Sequence, residues 1–184
     1  MDHFEQSLEK LLNKRRQEMR EHYNRVLPTG ELLYNRFDKA KYLGMGEHSS
    51  VYDTSVIMGD ISVGNNVWIG PFSLIEGING RVTIGDFVSI NAGVMIFCHD
   101  STHYYVSGGV DNLIKGDVNI GSNTVVGSMS MVLPGVNVGK HCVIGANSVV
   151  TKDIPDYSIA AGTPAKIIGQ VKIDFDGHAH FVYK

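Results

Sequence analysis

VGSMSMVLPGVNVGKHCVIGANSVV, residues Val126 to Val150, places an aliphatic side chain at every sixth position: Val126, Val132, Val138, Ile144 and Val150. A helix face repeats near 3.6 residues and a half-buried strand at 2, so a step of six belongs to neither. It marks a solenoid, in which each unit covers its apolar side against the next. Working outward, the same beat starts at Val51 and continues through Ile57, Val63, Ile69 and Ile75, then resumes nine residues later at Ile84, Ile90 and Ile96. Gly77-Ile78-Asn79-Gly80 is therefore an insertion, expected as a bulge at a corner. Between Ile96 and Ile120 the interval is again a multiple of six, yet FCHDSTHYYVSGGVDNLIKGDV carries no aliphatic beat. That stretch is an excursion that leaves the coil and returns to it.

If three six-residue units close one triangular coil, each aliphatic side chain points into a prism and stacks on its counterpart one coil away. The next position is small at Gly64, Gly70, Gly85, Gly121, Gly127, Gly139 and Gly145, where glycine is expected to supply the backbone conformation of a corner. The fifth position of each unit, as in Ser55, Ser73, Thr124, Ser130, Cys142 and Ser148, is small or β-branched and suits a narrow interior.

Composition limits the alternatives. The 184 residues suffice for one sizeable core, and 43% hydrophobic content argues against wholesale disorder. No apolar run approaches the roughly 18 residues of a membrane span. The formal charge of -3 offers no general attraction to nucleic acid or to an anionic membrane. Cys98 and Cys142 suggest neither a disulfide framework nor a metal motif, and the charged start is unlike a signal peptide, so a cytoplasmic protein with reduced thiols is expected. The 21 glycines are the anomaly, and a solenoid with many tight corners accounts for them.

Phe4, Leu8, Leu11, Leu12, Met19, Tyr23 and Val26 recur at helical spacing ahead of Pro28 and Gly30, which predicts an amphipathic helix packed on the body. Residues 31 to 45 suggest a short second helix or a loop. The tail alternates apolar and polar residues up to the Asp176-Gly177 turn, as a hairpin does. The expected organisation is an N-terminal helical segment over 1–46, a solenoid over 47–169 with a protruding loop at 99–118, and a strand or hairpin extension over 170–184. Helix and tail are expected to cover the two open ends of the coil.

The units IGDFVS, IGSNTV, VGKHCV and IGANSV, followed by VVTKDIPDYSIAAGTPAKIIG, resemble the hexapeptide-repeat acyltransferases and stand close to the sugar O-acetyltransferases, the galactoside and maltose acetyltransferases among them. The resemblance implies an all-β solenoid, a left-handed parallel β-helix, against the usual right-handed crossover. It also implies a homotrimer with its sites at subunit boundaries. Neither handedness nor assembly follows from the period.

An acyl transfer from a thioester needs a base, donors for the carbonyl oxygen and a grip on the acyl carrier. Histidine is the natural base near neutral pH. His99 stands where a regular coil ends and the excursion begins; His103 lies deeper in the loop. The resemblance assigns the base to His99. Asp100 could orient an imidazole or, with His103, touch the acceptor. Trp68 and Glu76 on the early coils are the remaining acceptor candidates. By resemblance, Gly127, Ser128, Gly145 and Ala146 line the pantetheine arm, and the Ser128 N–H is the oxyanion donor. Thr151, Lys152, Thr163, Ala165 and Lys166 match positions near the adenosine and phosphates. Val125 departs from the pattern, since some sugar acetyltransferases carry tryptophan there.

The expected activity is acetyl-coenzyme A-dependent O-acetylation of a sugar or glycan hydroxyl, as in polysaccharide biosynthesis. No metal is required, and no nucleic-acid partner or membrane insertion is expected. N-acetylation of an amino-sugar nucleotide or an antibiotic is the alternative within the class. Outside it stand a non-catalytic scaffold and a metal-dependent hydrating β-helix protein.

Overall fold

A computed structural model describes residues 3–184. Residues 51 to 154 wind into a left-handed parallel β-helix of about five turns. The first face carries Ser50–Val51, Trp68–Ile69, Ser89–Ile90, Val125–Val126 and Val143–Ile144 in register, each pairing parallel with the next. The second face stacks Val56-Ile57, Leu74-Ile75, Met95-Ile96, Met131-Val132 and Val149-Val150. The third stacks Ser62-Val63, Thr83-Ile84, Asn119-Ile120 and Asn137-Val138, with Ile154 bridging to Val138. We number the corners by the faces they join: first to second, second to third, and third back to first.

The interior is the expected stack. Val51, Ile69, Ile75, Ile84, Ile90, Ile96, Ile120, Val126, Val132, Val138, Ile144 and Val150 are all buried, and so are the small fifth-position residues Ser55, Ser73, Thr124, Ser130, Cys142 and Ser148. Their polar atoms are spent on the neighbouring coil. Ser55 Oγ donates to the Gly70 carbonyl at 2.6 Å, Thr124 Oγ1 to Gly139 at 2.9 Å and Ser130 Oγ to Gly145 at 2.8 Å. A hydroxyl thus enters the prism without leaving a buried polar atom unpaired.

The glycines serve a different purpose from the one expected. The left-handed backbone conformation falls two residues further on, at Asn66 (φ 57), Phe72 (φ 60), Phe87 (φ 55), Asn123 (φ 59), Met129 (φ 60), His141 (φ 55) and Asn147 (φ 55). The glycine directly after the aliphatic residue is required because the next coil comes too near. A methyl group at Gly121 would lie 2.5 Å from the Lys140 nitrogen, and one at Gly127 would lie 2.5 Å from the Ala146 nitrogen.

The insertion lies at a corner, as expected. Val56–Val63 and Leu74–Ile84 each run past the second corner, and their register shifts so that Gly59 pairs with Gly77 while Asp60 pairs with Arg81. The excursion is ordered. Strands His99–Asp100 and Ile114–Lys115 form its antiparallel stem, closed by Gly116 N–H on the Cys98 carbonyl at 3.0 Å.

The N-terminal prediction needs correction. Helix α1 (His3–Tyr23) has no buried residue, and Phe4 is 72% exposed, so it does not pack on the body as an amphipathic helix should. It ends in an αL turn, with Asn24 left-handed (φ 49) and its N–H on the Arg20 carbonyl at 3.2 Å. Helix α2 (Thr29–Leu33) follows, and then α3 (Arg36–Tyr42), whose Ala40 joins the core. The capping is done by α3. Lys39 Nζ donates to the carbonyls of Tyr52, Asp53 and Ser55 at 3.1, 2.9 and 3.0 Å, satisfying acceptors that no earlier coil can reach. At the other end, Ser158–Ala161 pairs antiparallel with Lys166–Ile173, which pairs with Ala179–Tyr183 in the expected hairpin. Among the described residues no helix is long and apolar enough to cross a membrane.

Replacing Lys39 with Met should strand these carbonyls and lower stability by about 1–3 kcal/mol, the cost of unmade buried hydrogen bonds. The urea midpoint checks this, and an unchanged midpoint would mean that water replaces the ammonium.

Candidate active site

His99 opens the stem at the second corner, directly after the buried Cys98. Strand Met95–Phe97 anchors its backbone, and its side chain remains 30% exposed. Its Nδ1 lies 2.7 Å from Glu76 Oε2. Glu76 sits on the preceding coil and is only 3% exposed. Its Oε1 accepts the Ile78 N–H at 2.6 Å, and Oε2 also accepts the Cys98 N–H at 3.3 Å. The bulge builds this cradle, because the chain folds back at Ile78 to bring its N–H onto the carboxylate two residues earlier.

The electrostatics follow from that cradle. Burial pushes the Glu76 carboxyl up, but hydrogen bonds from Ile78, His99 and Cys98 outweigh it and hold the group below its ordinary value. It is therefore a carboxylate at neutral pH, and it selects the imidazole tautomer with the proton on Nδ1. Nε2 is left with its lone pair, facing outward.

This placement differs from the expectation that Glu76 would accept sugar hydroxyls. Both of its oxygens are turned inward, and a sugar has no access to them. Asp100 is likewise engaged locally: its Oδ1 accepts the Thr102 N–H at 2.7 Å and the Thr102 hydroxyl at 2.5 Å. The Thr102 side chain, followed by its backbone N–H, lowers the Asp100 carboxyl. His103 lies on α4 (Thr102–Val106), exposed and away from the Glu76 cradle. Trp68 sits on the first face with its ring edge-on to Tyr52 at 6.1 Å and beside Gly70. Among the described residues it makes no hydrogen bond or ring contact with His99.

The residues expected to hold the acyl carrier divide between two corners. Gly127 and Ser128 lie at the first corner, between the strands of the first and second faces, and Gly145 and Ala146 lie one coil further along it. The segment carrying Thr163, Ala165 and Lys166 closes over that same corner, with Gly162 N–H on Ser148 Oγ at 3.0 Å, Thr163 Oγ1 on the Asn147 carbonyl at 3.3 Å and Ala165 N–H on the Val149 carbonyl at 2.8 Å. Thr151 and Lys152, both exposed, lie instead at the second corner, on the side of His99. At the third corner three of the four equivalent amides are occupied, Asn65 N–H by Asp86 Oδ1, Asp86 N–H by Ser122 Oγ and Lys140 N–H by Asp156 Oδ1, Ser122 N–H being the exception among the described residues. At the first corner Ser128 and Ala146 N–H have no acceptor among the described residues. A row of free amides beside small side chains fits an extended, amide-bearing arm. No group of three metal-ligating side chains occurs among the described residues.

A coil of six-residue steps that presents a carboxylate-held histidine at one corner and free amides at another defines a transferase of the hexapeptide class. Residues 117–152 match the family described as bacterial transferase hexapeptide (six repeats). The chain is 31% identical over 160 residues to dTDP-4-amino-4,6-dideoxy-D-glucose acyltransferase of Escherichia coli, spanning 70% of this chain and 82% of that one. It is 37% identical over 127 residues to galactoside O-acetyltransferase of Escherichia coli (strain K12), covering 65% and 61% respectively. Its fold matches a hexapeptide-repeat-containing acetyltransferase, VCA0836 from Vibrio cholerae O1 biovar eltor, solved with acetyl coenzyme A, at a TM-score of 0.66 and 22% identity over 91% of this chain and 88% of that one. The chain belongs to the hexapeptide-repeat acyltransferases.

Glu76→Gln should leave the fold intact and release the His99 tautomer. Imidazole nitrogen shifts measured by NMR should report Nδ1–H in the parent and a mixture in the variant. Because the folded carboxyl lies below its unfolded value, its contribution to stability is present above the unfolded pKa and is lost as pH falls through the folded one. The Glu76 carboxylate should therefore keep its hold on the Nδ1–H through mild acidification.

Proposed function

We propose that the protein transfers an acetyl group from acetyl-coenzyme A to a hydroxyl of a sugar or glycan, with His99 as general base. The observation that carries this reading is the half-exposed imidazole held by a buried carboxylate at 2.7 Å. A hydroxyl is a poor nucleophile until its proton is taken, and this pair is built to take one. When bound, acetyl-coenzyme A supplies the thioester carbonyl. His99 Nε2 accepts the proton of the acceptor hydroxyl as its oxygen bonds the acetyl carbon and can return it to the thiolate released when the carbon–sulfur bond breaks, and Glu76 holds the imidazole in place and steadies the charge it gains. The Ser128 N–H, free of protein acceptors, is the donor for the carbonyl oxygen as negative charge develops. Gly127, Gly145 and Ala146 would hold the pantetheine arm, with Thr163, Ala165 and Lys166 at its nucleotide end.

His99 and Ser128 occupy different corners of one chain, so a single copy supplies two halves of different sites. We read the working form as a homotrimer on a further ground. The outward residues of the second face, which separates the two corners, are Val56, Leu74, Met95, Met131 and Val149. The third face turns out Ser62, Thr83, Asn119, Asn137 and Asp153, linked by bonds such as Asn119 Nδ2 to Asn137 Oδ1 at 2.7 Å. One face suits a partner and the other suits water. A neighbour packed there brings its first corner beside His99 and lets Thr151 and Lys152 reach the same carrier. The buried free thiols Cys98 and Cys142, pushed up first of all by burial, agree with a cytoplasmic setting.

A second reading is N-acylation of an amino-sugar nucleotide, favoured by the similarity to the dTDP-amino-sugar acyltransferase. An amine needs less help from a base, so the depth of the His99 defect separates the two.

His99→Ala should lower turnover on a sugar hydroxyl by roughly 10²–10⁴ without changing the assembled mass. Near-normal turnover by the intact assembly would remove His99 as base, and a mild defect confined to amine acceptors would favour the second reading. Glu76→Gln should lower kcat by a smaller factor, with acceptor KM unchanged. Acetyl-coenzyme A should raise the melting temperature of the parent, since specific binding to the native state must do so.

A further inference from the structure

The first corner does not end at the acyl groove. Followed toward the N-terminus from Ser128, it passes Ala92 and Pro71 and reaches Tyr52, which lies at that corner of the first coil. Tyr52 is also a wall of a cleft between the end of α1, the α2–α3 turn and the coil. The span from Ser128 to Tyr52 is three coil steps, about 14 Å at the usual strand spacing. A single sugar ring placed beside Ser128 is too short to cover it.

The cleft has aromatic walls and two guanidinium groups against one carboxylate. Tyr23, Tyr34 and Phe37 line it and are 61%, 63% and 48% exposed. Arg36 lies over the rings of Phe37 and Tyr52 at 5.0 and 5.5 Å and bonds the Tyr52 hydroxyl at 3.2 Å. Among the described residues neither Arg36 nor Arg25 has an ion-pair partner, and the Arg25 guanidinium has no partner of any kind. Glu31, the acidic lining residue, has Oε1 engaged by the Thr54 N–H and hydroxyl at 3.1 and 3.3 Å. The αL turn that ends α1 delivers Arg25 to this cleft. Exposed ring faces beside an unneutralised guanidinium suit a planar base carrying phosphate.

We propose that this cleft binds the nucleoside diphosphate end of the acceptor, whose sugar extends along the first corner to the acyl groove. The inference rests on the sugar-acceptor reading. It makes the acceptor a nucleotide-linked sugar rather than a free sugar or a polymer end, and it assigns the N-terminal helices to acceptor recognition.

Calorimetric titration of the full-length protein with UDP, dTDP, GDP and ADP, each in saturating coenzyme A to fill the acyl groove, tests the site without turnover. At least one nucleoside diphosphate should bind. Arg25→Gln should weaken that binding at least tenfold, Tyr34→Ala should weaken it too, and Lys172→Gln in the tail should not. Arg25 is exposed and its side chain makes no hydrogen bond or ion pair among the described residues, so its loss should leave the melting temperature nearly unchanged and the result readable. Absence of binding in the presence of coenzyme A, or equal affinity in Arg25→Gln, would overturn the proposal. Binding that depends on Arg25 in a protein that acetylates no sugar would retain the cleft and remove the acetyl-transfer reading. With a nucleotide sugar as acceptor, Arg25→Gln should raise KM and leave kcat nearly unchanged.

Discussion

Successive coils meet most closely at the residue after the interior aliphatic, where the next backbone runs too near for a methyl group. That constraint explains Gly64, Gly85, Gly121 and Gly139 at the third corner and Gly70 and Gly127 at the first, while at Gly145 the near atom is the Ala161 methyl. The second corner is exempt. Its equivalent positions carry Met58, Glu76, Phe97, Leu133 and Thr151, all larger than glycine. The chain departs from the regular coil at this corner, in the bulge at Gly77 to Gly80 and again in the arm that begins at His99. Close packing at the first and third corners and room at the second divide the molecule into a rigid scaffold and a place where chemistry can be built.

Much of this division is legible in the sequence. Aliphatic residues six apart mark the prism, the nine-residue step after Ile75 marks the bulge, and the lost beat after Ile96 marks the arm. The row of glycines is also legible, although its cause was not: the left-handed conformation belongs to Asn123, Met129 and their equivalents, so composition alone suggested the wrong physical reason. The missed signal at the site was positional. Among the residues that follow an interior aliphatic, Glu76 alone is acidic, and a carboxylate placed against the next coil must have a dedicated partner to remain charged. Its pairing with His99 was unreadable because it bridges twenty-three residues and depends on where the bulge returns the chain.

The N-terminal segment shows the opposite failure. Helical spacing in α1 is real, yet an amphipathic stripe does not say what will cover it, and α1 remains uncovered in the single chain. The cap came instead from α3, a short helix with little periodicity, through one lysine and one alanine. Lys39 was unremarkable in sequence because its value depends on three carbonyls that converge only once the first coil has closed.

Burying Glu76 ties the base to the coil more firmly than a surface contact would. A carboxylate removed from water is tolerated only while its partners stay in place, and two of those partners are backbone N–H groups, one from its own bulge and one from the next coil. The imidazole is thus the third member of a set whose other two donors are part of the scaffold. Moving His99 away would leave a buried charge underbonded, so the scaffold itself resists misplacement of the base. Rigidity at this end contrasts with the exposed arm, whose tip carries Tyr105 and Val106 at 75% and 83% exposure. A fixed base beneath an exposed arm lets the acceptor be selected at the periphery without disturbing the atom that takes its proton.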